Sequence, residues 1–155
     1  MKKSFVLILI AVTGIYVAAI VIAGNDAAGA ALPGFWDLPS FILTPVTPLI
    51  LMLGHYGPGE IVRAFRCAGA DECGSADAGR ALVFFRSLRR LIMLSGFLGT
   101  LIGAIFIARM YPSEEFSASA GVYLGMCLLT VVYALFFSMV LCVPFESALE
   151  KKLAG

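Results

Sequence analysis

Four stretches of this chain contain no Asp, Glu, Lys, Arg or His: Phe5–Ala23, Leu38–Leu53, Leu91–Ala108 and Ala120–Val143. Nothing else in the sequence limits the fold so tightly. An α-helix crosses the hydrocarbon of a bilayer in roughly 20 residues at 1.5 Å rise, and each stretch approaches or exceeds that length. The chain has 155 residues, of which 61% are hydrophobic and 14% charged, outside the range of soluble domains. The prediction is an all-α integral membrane protein, a single domain over 1–155. Its four transmembrane helices fall at about 5–23, 38–54, 91–108 and 120–143, with a short cytoplasmic helical segment between the second and third, at about 55–90.

The charges that do occur are placed unevenly. Lys2 and Lys3 precede the first run, Arg63, Arg66, Arg80, Arg86, Arg89 and Arg90 lie between the second and third, and Lys151 and Lys152 follow the fourth. The opposite loops hold Arg109 with Asp26, Asp37, Glu114 and Glu115. The positive-inside bias therefore predicts that both termini and the central connector are cytoplasmic. A net charge of +1 gives no electrostatic case for nucleic acid as a partner. The first run, followed by the small residues Ala27–Ala30, also has the outline of a secretory signal. Its 19 apolar residues exceed the usual signal core of about 7–15, which favours an uncleaved first span; cleavage would leave three.

Local signals refine this plan. The Gly/Ala-rich stretch Asn25–Gly34 reads as the outer loop. Asp37 suits the N-cap of the second span, and Pro39 falls in its first turn, where a missing N–H costs nothing. Pro45 and Pro48 sit deeper and remove donors for the carbonyls of Phe41 and Thr44. The hydroxyls of Thr44 and Thr47, or a neighbouring helix, are expected to compensate, with a kink. The breaker cluster Gly54–Gly59 is expected to end this helix. Ile61–Arg66 and Leu82–Arg86 read as short helices continuing the second and third spans, with Arg86, Arg89 and Arg90 at headgroup level. A connector of this length is too short to bury a core of its own.

Catalytic constellations are missing from the sequence, which predicts no enzyme and no cofactor. A single His55, at a membrane boundary, leaves no metal site. Cys67 and Cys73 lack zinc-ligand spacing and are expected to be free thiols in a reducing compartment. Cys127 and Cys142 read as small buried residues.

Neither of the last two spans is a plain anchor. Gly96, Gly99, Thr100 and Gly103 share one face of the third, and Met126, Thr130, Ala134 and Ser138 follow at four-residue steps in the fourth. Such faces let helices pack backbone to backbone in lipid, where no hydrophobic effect drives association. Gly96-Phe-Leu-Gly99-Thr100-Leu-Ile-Gly103 resembles the third transmembrane helix of the MotA/TolQ/ExbB ion-channel family. Leu128-Leu129-Thr130-Val131-Val132-Tyr133-Ala134, with Pro144 and Glu146–Lys152 beyond it, resembles that family's fourth helix and helical extension. Phe35–Ser40 is similar to the segment opening the second helix of MotA-type members.

The resemblance implies a ring subunit of the bacterial inner membrane that couples a flow of H⁺ or Na⁺ to mechanical work. It implies a pentamer around a single-span MotB/ExbD/TolR-like partner, whose helix supplies the carboxylate that these spans lack. Thr100 and Thr130 become the ion-pathway candidates, Gly96, Gly99, Gly103, Tyr133 and Pro144 the packing and pore-ring positions, and Arg63 and Arg66 the cytoplasmic coupling positions. The alternative is a non-conducting tetraspan scaffold that keeps the ring. It rests on Val131, where the family has a second Thr, and on Met93, where it has a Pro.

Overall fold

The computed structural model describes residues 3–25, 36–70, 73–111 and 114–154, and all regular structure among them is helical. Helix α1 is Lys3–Asn25. Helix α2 starts at Leu38–Phe41, passes through a π-helical turn at Ile42–Val46 and continues over Thr47–Gly69. Helix α3 is unbroken from Ser75 to Met110. Helix α4, Glu114–Phe137, runs through a second π turn, Ser138–Cys142, into α5, Val143–Ala154. Three helical stretches are long and apolar enough to cross a membrane: Leu38–Gly69, Ser75–Met110 and Ala120–Ala154. The expected outer loop at 26–34 and Phe35 lie outside the described residues.

The start of α2 follows the sequence rules. Asp37 caps it, its carboxylate accepting from the Ser40 N–H at 2.9 Å, with Pro39 in the first turn. The cluster at Gly54–Gly59 does not end it. The backbone flips at Gly57 alone (φ 73°, ψ 159°), a conformation that a side chain would forbid, and Pro58 restarts the helix at once. The expected continuations below the spans are therefore helical, as Glu60–Gly69 of α2 and Ser75–Arg90 of α3.

Two kinds of packing hold the helices together. In the apolar half, α3 lies on α4 through glycine: a Cβ on Gly96 would collide with Ala134 Cβ, and one on Gly99 with Thr130 Cγ2 at 2.9 Å and Leu43 Cδ2 at 2.6 Å. One on Gly103 would meet Cys127 Sγ at 3.0 Å. Beyond Gly99 no described residue of α3 is buried, so the outer half of the α3–α4 hairpin carries Leu101, Ile105, Phe106, Val122 and Leu124 exposed. Helix α1 touches the α4 side through Tyr16, whose ring stands edge-on to Phe136 and whose hydroxyl donates to Met139 Sδ at 3.3 Å.

In the arginine-rich half the packing is aromatic. Phe65, Phe84, Phe85 and Phe145 make a cluster with centroid separations of 5.0–6.2 Å, and Leu88, Ile92 and Leu149 are fully buried beside it. The connector thus has a core after all. It is too short to make one alone, and α5 supplies the missing wall. Glu146 and Glu150 of α5 then pair with Arg89 (2.9 Å) and Arg86 (2.6 Å) of α3, so these two arginines, expected at headgroup level, serve a helix contact.

The glycine contact yields the first prediction. Gly96→Ala forces the α3–α4 backbones apart and should destabilise the monomer by ~1–3 kcal/mol, as overpacked cores do. Gly125→Ala, with nothing within 4 Å of the added methyl, should be close to neutral. Unfolding in mixed detergent micelles measures both; equal stabilities would remove the close contact.

Candidate functional site

The site begins with a backbone problem in α2. In the π turn the Thr47 N–H reaches back five residues to Ile42 O, and the next residue is Pro48, which has no N–H. The carbonyl of Leu43 is thereby left without a backbone donor. Ser95 of α3 fills the gap, its hydroxyl donating to Leu43 O at 2.8 Å. The π register thus places a deficit at Leu43, one carbonyl before the one that α-helical spacing predicts. The Thr47 hydroxyl donates to Ile42 O at 3.1 Å rather than to either carbonyl expected to need it, and Thr44 turns away to donate to Thr130 O of α4 at 3.4 Å.

One turn from Ser95, the two ion-pathway candidates meet. Thr100 Oγ1 and Thr130 Oγ1 are 2.8 Å apart. Each also has a carbonyl within its own helix, Gly96 O at 3.0 Å for Thr100 and Cys127 O at 3.0 Å for Thr130. The Cys127 thiol donates back to Thr100 O at 3.2 Å. Two hydroxyl protons are shared among three hydrogen-bond positions, so the pair has alternative arrangements. Thr130 can donate to Thr100, which is then free to donate to Gly96 O or outward. Alternatively Thr130 can donate to Cys127 O while Thr100 donates to Thr130, leaving the Thr100 oxygen as an outward acceptor. Thr44 and Thr130 are buried, and Thr100 is half-buried at the edge of the uncovered hairpin. The pair can therefore meet an acid, its carboxylate or a cation from that edge.

The remaining sequence candidates separate. Gly96, Gly99 and Gly103 all face this chain's own α4, and Gly99 also faces Leu43 of α2. A sequence pattern does not distinguish a partner in the same chain from one in a neighbouring subunit, and a hairpin partner lies closest. Tyr133 accepts from the Asp37 N–H at 3.2 Å and sets its ring edge-on to Phe41. Pro144 follows the second π turn, at the start of α5. Arg63 and Arg66 are exposed on the lower part of α2, and Arg63 lines a cavity of about 300 Å³ with Tyr56, Glu60, Asp77, Arg80 and Phe84. His55 is exposed beside Tyr56. Among the described residues no three His, Cys, Asp or Glu gather as a metal site.

The cysteines need one correction. Cys127 and Cys142 are free and buried, but Cys67 and Cys73, expected as thiols, are joined in a disulfide. The chain leaves α2 at Ala70 in an extended conformation, which brings residue 73 back to within 5.5 Å of Cys67 between Cα atoms. Sequence reading also missed Ser95, whose signal was present: a hydroxyl on the glycine face opposite a helix with two interior prolines. It missed Lys152 too, whose ammonium donates to the carbonyls of Cys67, Ala68 and Ala70 at 2.6, 3.2 and 2.5 Å.

No family model and no curated protein matches this chain. Its site is therefore read from its own geometry.

That geometry makes a coupled prediction. Ser95→Ala should cost about 1 kcal/mol, in line with hydrogen bonds between membrane helices. In a Pro48→Ala background, where residue 48 regains an N–H, the same change should cost much less. A double-mutant cycle in detergent unfolding reads the difference, and an unchanged cost would separate Ser95 from the proline.

Proposed function

We propose that this chain is a four-span membrane ring subunit that lines a path for H⁺ or Na⁺ together with a carboxylate-bearing helix from a single-span partner. In this reading α1 is the fourth span, both termini and the connector face the cytoplasm, and the membrane is the bacterial inner membrane. Ion flow through the ring drives mechanical work. The observation that carries the reading is the Thr100–Thr130 hydroxyl pair, 2.8 Å apart across two apolar helices. Two properties make that pair suitable. It offers a donor to a carboxylate and an acceptor to a carboxylic acid or a bare cation without moving a heavy atom. Its Thr100 member also lies half-buried beside the exposed part of the α3–α4 hairpin beyond Gly99, so among the described residues a guest helix has a face to occupy there.

An ion path needs a group that binds and releases its ion, and an intramembrane carboxyl is the usual one. The apolar runs of this chain have none, so the charge must arrive on another polypeptide. A desolvated acid beside two hydroxyls has neutral and ionised forms close in energy, because burial disfavours the charge and hydrogen bonds restore it. The resemblance in the third and fourth helices supports the same assignment. The division of labour follows: this chain provides shape, hydroxyls and an insulating wall, and its partner provides the titrating group.

The test is ion flux in vesicles carrying this protein with a single-span partner encoded beside it. The protein alone should be tight. With the partner, flux should appear and fall about tenfold in Thr100→Val, the equivalent of ~1.4 kcal/mol at the barrier. Assembly should be unchanged, since Val keeps the shape. An assembled complex without flux in either form would instead identify the non-conducting scaffold.

A further inference from the structure

Cys67 carries two tethers at once. Its sulfur is bonded to Cys73, and its carbonyl accepts from Lys152 Nζ at 2.6 Å. The second contact matters for the whole C-terminal helix. The last carbonyls of an α-helix have no partner within it, and at the end of α2 the Ala70 N–H takes only Arg66 O. Lys152, on the last turn of α5, takes Cys67 O and Ala68 O and adds Ala70 O. Helix α5 is thus anchored to α3 by Arg86 and Arg89, and to α2 through a carbonyl cradle built on Cys67. Both cysteines lie within the arginine-rich connector, the side that the charge bias assigns to the cytoplasm, where disulfides are transient and regulatory rather than structural.

We infer that Cys67–Cys73 is a reversible thiol–disulfide site, exchanged with a dithiol reductant, whose oxidised form holds the carbonyl cradle that anchors α5 through Lys152. The inference rests on the cytoplasmic orientation proposed above. The chemistry is ordinary exchange. Cys73 is the more exposed of the two, so the donor's thiolate attacks Cys73 Sγ and the Cys67 sulfur leaves as a thiolate and takes up a proton. The Lys152 cation on the same residue favours that departure. The donor's second thiol then attacks the mixed disulfide, freeing Cys73 as a thiol and leaving the donor oxidised. Two electrons and two protons pass to the pair, and a small disulfide such as oxidised glutathione reverses the reaction. Once the Cys73 restraint is gone, residue 70 is held beside α2 by the Ala70 N–H bond to Arg66 O alone, and the end of α2 that presents the three carbonyls to Lys152 frays more readily.

Sidedness and anchoring are measured separately on the full-length protein in membrane vesicles. An impermeant phosphine reductant added to inside-out vesicles should open the pair, as read by maleimide mass labelling of two new thiols, and oxidised glutathione should close it again. Reduction from the outer face alone would overturn the orientation, and the reversible site with it. Hydrogen exchange is then followed over residues 146–154 in both redox states. Exchange should be about tenfold faster when the pair is reduced, because an anchored terminus becomes a fraying one. Lys152→Met should show the fast rate while oxidised, and the exposed Lys151→Met should not. Equal exchange in oxidised and reduced wild-type protein would overturn the anchoring while leaving the orientation intact. Failure of oxidised glutathione to reform the bond would overturn its reversibility.

Discussion

A carbonyl without a donor is tolerable in water and expensive in hydrocarbon. In this protein one such carbonyl, Leu43 O, fixes the arrangement of three helices. The π turn and Pro48 together deny it a backbone partner, and Ser95 on α3 supplies one. That single bond sets the register of α3 against α2. With Ser95 at Leu43, the next turn of α3 brings Gly99 against the Leu43 side chain and Thr130, and leaves Thr44 free to reach the α4 backbone. Thr100, the following residue, is then in position to meet Thr130. The hydroxyl pair is a consequence of how α2 repairs its own proline.

The two halves of the molecule are held by different forces. Apolar burial stabilises only where the alternative is water, and between membrane helices the alternative is lipid. The interior of the apolar half is accordingly small and weakly polar: Gly96, Gly99, Thr44, Thr130, Ala134 and Cys127. The bulky aromatics are buried at the arginine-rich end, where Phe65, Phe84, Phe85 and Phe145 converge. Large side chains within the spans, such as Phe97, Leu98 and Phe106, point outward instead. The distribution follows from the solvent on each side and involves the same residue types in both places.

Composition and local pattern made the apolar helices and the start of α2 legible, because apolar run length, the Asp37 cap and the glycine face are all local, whereas the Gly54–Gly59 cluster did not end α2. What lay hidden was relational. The glycines announced a close contact without naming α4 as the partner. The prolines announced a deficit, yet a π turn, which no residue type signals, placed one at Leu43. The connector looked too short for a core, and was, until Phe145 and Leu149 joined it from far along the chain. Cys67 and Cys73 read as free thiols, because their pairing depends on the backbone leaving α2 in an extended conformation at Ala70, which spacing does not signal.

The second π turn repeats the first with one difference. Here the Val143 N–H reaches back to Ser138 O, and Pro144 follows, so Met139 O loses its donors by the same arithmetic that affected Leu43. Among the described residues no side chain donates to Met139 O as Ser95 does to Leu43 O. The Ser138 hydroxyl, buried on the same turn, also has no hydrogen-bond partner among the described residues. A helix turn with unfilled polar groups resists local opening less than one whose groups are paired. It stands between two firmly held pieces: α4, fixed to α3 through glycine, and α5, fixed by two carboxylate–arginine pairs and by Lys152. Ser138–Cys142 is thus a turn with a buried, unpaired hydroxyl, set between the helix that carries Thr130 and the anchored α5.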